Sequence, residues 1–140
     1  MTDSIKKYML LKSDTKIFVH PTAKPRRLVK LYRILALRDM YIHGFGHITE
    51  GTIGGYVENE SNLSHDGNSW VANLGNVFDH ATLLDDALVK GDSAVFGEVT
   101  LCGQTVVSDF ARVGGGGELM DCYIYDKCNV RGTPKMENVT

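Results

Sequence analysis

The chain has 140 residues, 43% of them hydrophobic and 23% charged, with a formal net charge of −2, which is one domain's length with enough apolar content for a core. No run approaches the ~20 apolar residues of a membrane span, and MTDSIKKYMLLKSD lacks the apolar stretch of a signal peptide, so a cytoplasmic protein without a membrane role is expected. The three cysteines include no closely spaced pair, which argues against a disulfide framework or a zinc knuckle; Cys122 and Cys128 read as small core residues.

The near-neutral total hides a polarity. Residues 1–47 carry ten Lys or Arg against Asp3, Asp14 and Asp39, whereas the remainder carries five against fourteen acids. In this basic segment KYMLLKSD, KIFVHPT and LVKLYRILAL read as short strands separated by SDT and HPTAKPRR, a small β cap over residues 1–47. The cluster Lys24, Arg26, Arg27, Lys30 and Arg33 suits a phosphate-bearing ligand or an acidic protein surface, and equally a solvated strand face. Nothing in it matches a nucleic-acid-binding module, so nucleic acid has no motif in its favour.

From residue 48 a six-residue beat takes over. A small residue is followed two places later by a larger apolar one at Ser69 and Val71, Gly75 and Val77, Ala81 and Leu83, and so on through Gly117 and Leu119, nine pairs without a slip. One residue is lost after Met120 before Cys122 and Ile124 resume the step. Two extra residues in SHDGNSW separate the earlier pairs Gly55–Val57 and Ser61–Leu63. Residues two apart share one side of a strand, so each hexad is a short strand followed by a corner, where Gly, Asn and Asp tolerate a left-handed backbone. Such units bury their apolar face only by stacking. Three strands per coil make residues 18 apart stack, giving ladders of Val71, Val89 and Val107, of Val77, Val95 and Val113, and of Leu83, Leu101 and Leu119. Residues 48–132 then form about four coils, a prism ~20 Å long at the usual strand spacing, and residues 133–140 a polar, aperiodic tail.

This pattern resembles the left-handed parallel β-helix of hexapeptide-repeat proteins, the trimeric LpxA-like superfamily; the left hand is what the resemblance implies. LYRILALRDM followed by EGTIGGYVENESNLSHDGNSWV is more narrowly similar to hexapeptide solenoids of phages, prophages and enterobacteria. The fold class expected is therefore all-β, a single left-handed parallel β-helix with an N-terminal β cap, and the resemblance implies a homotrimer without implying a reaction.

Within the coils, His65 and His80 are the only histidines, and their spacing does not stack, so no metal site is expected. A hexapeptide acyltransferase needs a histidine base in a cleft; His80 at a corner, one coil from Glu98, is the best candidate, weighed against an exposed corner histidine beside a chance acid. Asp79, Asp85, Asp86, Asp92, Asp109 and Asp121 read as turn formers, and Gly114 to Gly117 as a relaxed corner rather than a phosphate loop. Facing outward, Trp70, Leu88 and Val106 line the first side of the prism, Phe78 and Phe96 the second, and Leu84, Cys102 and Met120 the third. Stacked apolar stripes mark interfaces, so the Trp70 stripe is expected to form the oligomer, and the basic cluster with Phe78 and Phe96 to bind a partner. The reading favoured is a non-catalytic, phage- or prophage-derived trimer that binds a host protein, such as a bacterial defence component, without a cofactor. An acyltransferase using His80 and Glu98, and a small-molecule or nucleotide sponge, are the alternatives.

Overall fold

A computed structural model describes residues 6–42, 45–131 and 135–137. In chain order the strands are β1 (Tyr8–Val19), β2 (Leu28–Ala36), β3 (Met40–Ile42), β4 (Gly46–Ile48) and β5 (Ile53–Val57). A 3-10 turn at Glu60–Asn62 follows, then β6 (Trp70–Val71), β7 (Asn76–Val77), β8 (Thr82–Leu83), β9 (Leu88–Val89), β10 (Ala94–Val95) and β11 (Glu98–Cys102). The last are β12 (Val106–Val107), β13 (Arg112–Gly114), β14 (Gly116–Met120), β15 (Tyr123–Ile124), β16 (Asn129–Arg131) and β17 (Lys135–Glu137). Strands from β5 onward stack in parallel into a left-handed solenoid of about four coils. Its first side is β6-β9-β12-β15, its second β5-β7-β10-β13-β16, and its third β8-β11-β14-β17. No helix among the described residues is long and apolar enough to cross a membrane.

The register follows the sequence beat. Val71 pairs with Val89 and Val89 with Val107, Val77 with Val95 and Val95 with Val113, and Leu83 with Leu101 and Leu101 with Leu119. After the residue lost beyond Met120, Val107 pairs with Ile124 and Val113 with Val130. Before the two extra residues, Val57 pairs with Val77 and Leu63 bridges Leu83. These ladder residues are buried, apart from the half-buried Val130, and complete burial of one Val or Leu contributes roughly 1.5–3 kcal/mol. The expected aperiodic tail is partly strand, since β17 pairs with β14; residues 132–134 and 138–140 lie outside the described residues.

The corners explain the acids. Asp79, Asp85, Asp109 and Asp121 all have positive φ, between 54° and 61°, and each accepts a backbone N–H from a neighbouring coil, as from Gly97 to Asp79 at 3.0 Å and from Gly103 to Asp85 at 2.9 Å. Asp86 and Asp92 are not in that conformation. In the glycine run, Gly115 continues the corner row of Asp79 and Gly97, while Gly114 lies under the Phe96 ring, which a Cβ there would approach to 2.3 Å. Close packing, rather than the slip of the beat, accounts for Gly114. Cys102 and Cys122 are buried, but Cys128 is exposed, correcting its core reading.

The N-terminal segment does more than cap. Instead of breaking at SDT, β1 runs on as one strand with a register shift between Leu11 and Thr15, and β2 has another against β5 between Arg33 and Leu35. Such irregularities change which face a strand presents. As a result, Tyr8, Leu10, Ile34 and Ala36 pack into the solenoid core, whereas Phe18, Val29 and Leu31 pack with Phe78, Ala94 and Phe96 on the outside of the second side. The second hairpin, β3–β4, was not legible beforehand. Its Met40, Ile42 and Ile48 belong to the buried cluster containing Trp70, Leu88 and Val106, and Asn68 Nδ2 donates to the Tyr41 carbonyl at 3.1 Å. This hairpin thus joins the same core and is tied to the loop that leads into the first side.

At the cap, Lys7 is buried and its Nζ donates to the Ser69 carbonyl at 2.7 Å and to the Ser69 hydroxyl. Burial, with Arg38 adding repulsion, lowers its pKa to about 7. Burial likewise raises that of Tyr8, whose hydroxyl donates to the Leu63 carbonyl at 2.7 Å.

Candidate functional site

The corner between the second and third sides is the most chemically furnished part of the molecule. His80 follows Asp79 around one bend, Glu98 follows Gly97 around the bend one coil on, and the His80 N–H donates to the Gly97 carbonyl at 2.9 Å. Stacking in register therefore brings an imidazole and a carboxylate to one corner. Both residues are exposed and line one cleft of about 390 Å³ with Arg27, Glu58, Asn59, Asp79 and Gly97. Neither His80 nor Glu98 makes a side-chain hydrogen bond among the described residues, so both are available to a ligand.

Asp79 is committed to structure. Its carboxylate accepts from His20 Nε2 at 2.7 Å, from Arg27 at 2.8 Å and from the Gly97 N–H at 3.0 Å. The His20 Nδ1 accepts backbone N–H bonds from Thr22 and Ala23, which places the ring's proton on Nε2, facing Asp79. Burial opposes the charge on Asp79, but the bonds from Arg27, His20 and Gly97 outweigh it and hold the pKa below the usual carboxylate range. This pin fastens the β1–β2 connection to the solenoid, and so puts Arg27 on the cleft wall. The shelter that an acceptor would need comes from this folded-over hairpin and not from an insertion in the coils. The sequence signal was HPTAKPRR itself, whose partner lies 59 residues away in the case of His20.

A second groove of about 510 Å³ adjoins the first. Lys6, Lys12, Lys30, Tyr32 and Glu60 line it, and it shares Glu58 and Asn59 with the His80 cleft. The Lys12 and Lys30 ammonium groups lie 4.6 and 5.6 Å from the Tyr32 ring centroid. Lys6 is paired with Glu60 at 3.2 Å, and Glu60 also holds His65 at 2.6 Å.

The expected binding surfaces are arranged differently from the sequence reading. Phe78 and Phe96 are stacked 5.4 Å apart as expected, but they are 0% and 2% exposed, boxed in by Phe18 and by the edge of His20. Trp70, Leu88 and Val106 are also buried within the chain. The expectation that these two stripes stand open is therefore corrected: the chain itself buries both, Phe78 and Phe96 under the β1–β2 hairpin. In the basic cluster, Arg27 is paired with Asp79, while Arg33 donates to the Gly54 carbonyl and the Tyr56 hydroxyl. Lys30 lines the larger groove, and Lys24 and Arg26 are exposed. Among the described residues no group of three His, Cys, Asp or Glu side chains converges to hold a metal ion.

No protein-family model matches the chain. It is similar to an Escherichia coli (strain K12) protein named Uncharacterized acetyltransferase YdcK, 27% identical over 96 residues that make up 68% of this chain. The match spans 28% of that protein's length. The chain is thus distantly similar to a protein named an acetyltransferase, over a part of that protein.

Proposed function

We propose that the chain is a hexapeptide-type solenoid that transfers an acyl group at the His80 cleft. The observation that carries this reading is that His80 and Glu98, on adjacent coils, line one cleft together with the hairpin residue Arg27; the similarity to a protein named an acetyltransferase supports it. An acceptor hydroxyl or amine attacks the carbonyl carbon of an acyl thioester such as acetyl-coenzyme A. His80 takes the acceptor proton as the new C–O or C–N bond forms, the C–S bond breaks, and the proton passes to the departing thiolate. Glu98 stabilises the imidazolium formed between those steps. In His80→Ala, thiol release from acetyl-coenzyme A should fall by roughly 10²–10⁴-fold with an unchanged melting temperature. Turnover at the wild-type rate would remove His80 from the mechanism.

A second reading, a binding protein directed at a host partner of the kind phage proteins engage, is favoured by the outer face of the β1–β2 hairpin. There Ile17, Val19 and Leu28 are exposed, as are Lys24 and Arg26. It requires a partner whose capture is lost in Lys24→Glu with Arg26→Glu; a captured partner indifferent to both changes would place its surface elsewhere.

A further inference from the structure

The two adjoining grooves differ in charge once the internally satisfied groups are set aside: Lys12 and Lys30 line the larger, Glu98 the smaller, and Glu58 both. In the larger groove Lys6 is consumed by Glu60, and Glu60 by Lys6 and His65. This leaves Lys12 and Lys30, flanking Tyr32 without an ion-pair partner among the described residues. In the His80 cleft Asp79 and Arg27 are consumed by each other and Asp79 also by His20. Glu58 gives only Oε1, to the Asp79 N–H at 2.7 Å, so Glu58 retains an oxygen and Glu98 both of its own. Glu58 and Asn59 belong to both walls, so the grooves form one trough, with two ammonium groups in the larger groove, the Glu58 carboxylate where the grooves meet, and Glu98 with His80 in the smaller. A molecule carrying one charge satisfies one end only, whereas a dipolar one satisfies both.

We propose that the trough binds a dipolar acceptor, an amine that also carries a phosphate or similar anionic group. Lys12 and Lys30 hold the anion while Glu58 and Glu98 hold the ammonium beside His80. This rests on the acyl-transfer reading for the chemistry that follows, but not for binding. The ammonium loses one proton to solvent, the free amine attacks the thioester carbonyl, and His80 carries the second proton to the thiolate as the amide forms.

The test uses glucosamine 6-phosphate as the dipolar probe, with glucosamine and glucose 6-phosphate as its single-charge counterparts, each titrated calorimetrically into the intact protein without acyl donor. Glucosamine 6-phosphate should bind at least about tenfold more tightly than either counterpart, as one additional charge-assisted contact predicts. Lys12→Gln with Lys30→Gln should abolish its advantage over glucosamine, and Glu58→Gln its advantage over glucose 6-phosphate, with melting temperatures unchanged. Equal affinity of the three probes, no binding of glucosamine 6-phosphate at millimolar concentration, or indifference to these changes overturns the proposal. If the charge-dependent binding holds but no thioester is consumed, the acyl-transfer reading fails and the dipolar site stands. If thioester is consumed equally well with singly charged acceptors, the reverse follows.

Discussion

Asp79 shows how much one corner residue is made to do. Its left-handed backbone, φ 58°, turns the chain; its carboxylate joins one coil to the next through Gly97 and holds His20 and Arg27 of the hairpin connection. Replacing it with Ala removes these bonds and strands the buried Nε2–H of His20, at a cost of roughly 2–4 kcal/mol, since a charged partner is lost and a buried donor is left unmade. The pH response has a definite sign. A carboxylate whose folded pKa is depressed contributes stability above its unfolded pKa, about 3.9, and loses it as pH falls through the lower folded value. Urea midpoints measured between about pH 2 and 6 should therefore drop toward acid less steeply in Asp79→Asn than in the wild type. Parallel acid profiles would mean that the carboxylate's charge is not what fastens the hairpin.

At the scale of elements, the β1–β2 hairpin has two jobs divided by its register shifts: one half closes the first coil, the other seals the second side. Just ahead of the closing half lies a liability, because the Lys7 ammonium is taken out of water with the Ser69 carbonyl and hydroxyl as its acceptors among the described residues. With a folded pKa of about 7 against 10.5 for the free side chain, the unfolded chain holds a proton between these values that the folded chain has released. Stability therefore rises with pH from about 7 toward 10. Tyr8 has the opposite effect further up: its folded pKa is raised, so above about pH 10 the unfolded chain loses a proton that the folded chain keeps, and stability falls. Lys7→Met should be more stable than the wild type at pH 7 and should flatten the rise between pH 7 and 10 in chemical denaturation. A wild-type profile already flat in that window would show that the amine keeps its proton in the folded cap. Of these elements the coils were readable from sequence, because alternation and an 18-residue stacking distance are local properties, and the lost and added residues shifted the register just where the beat slipped. The hairpins' second job was not readable. It depends on two strand irregularities and on partners such as His20 and Asp79, far apart in sequence, so Phe78, Phe96 and Trp70 looked like open surface. His80 and Glu98 could be paired from spacing alone, whereas Arg27 as a wall of their cleft could not.

For the whole molecule, covering two sides of the prism singles out the third. Trp70, Leu88 and Val106 are buried and the β1–β2 hairpin lies over Phe78 and Phe96, but Leu84, at 36% exposure, and the half-buried Met120 remain on the surface of the third side with Thr82, Thr100 and Glu118. Of that third row Cys102 is buried, which corrects its outward reading; if the protein assembles as the expected trimer, this side, with Leu84 and Met120 at its surface, is the one that gains most from a second copy. It also borders the corner that carries His80 and Glu98, so assembly would set a neighbouring protomer beside the cleft. Leu84→Glu with Met120→Glu would bring new carboxylates close to Glu118 on every copy, and burying such charges without partners costs several kcal/mol each. Sedimentation should then show the wild type as a trimer and the double variant as a folded protomer with unchanged far-ultraviolet circular dichroism. A variant that still sediments as a trimer would move the interface off the third side, and a monomeric wild type would leave the His80 cleft complete within a single chain.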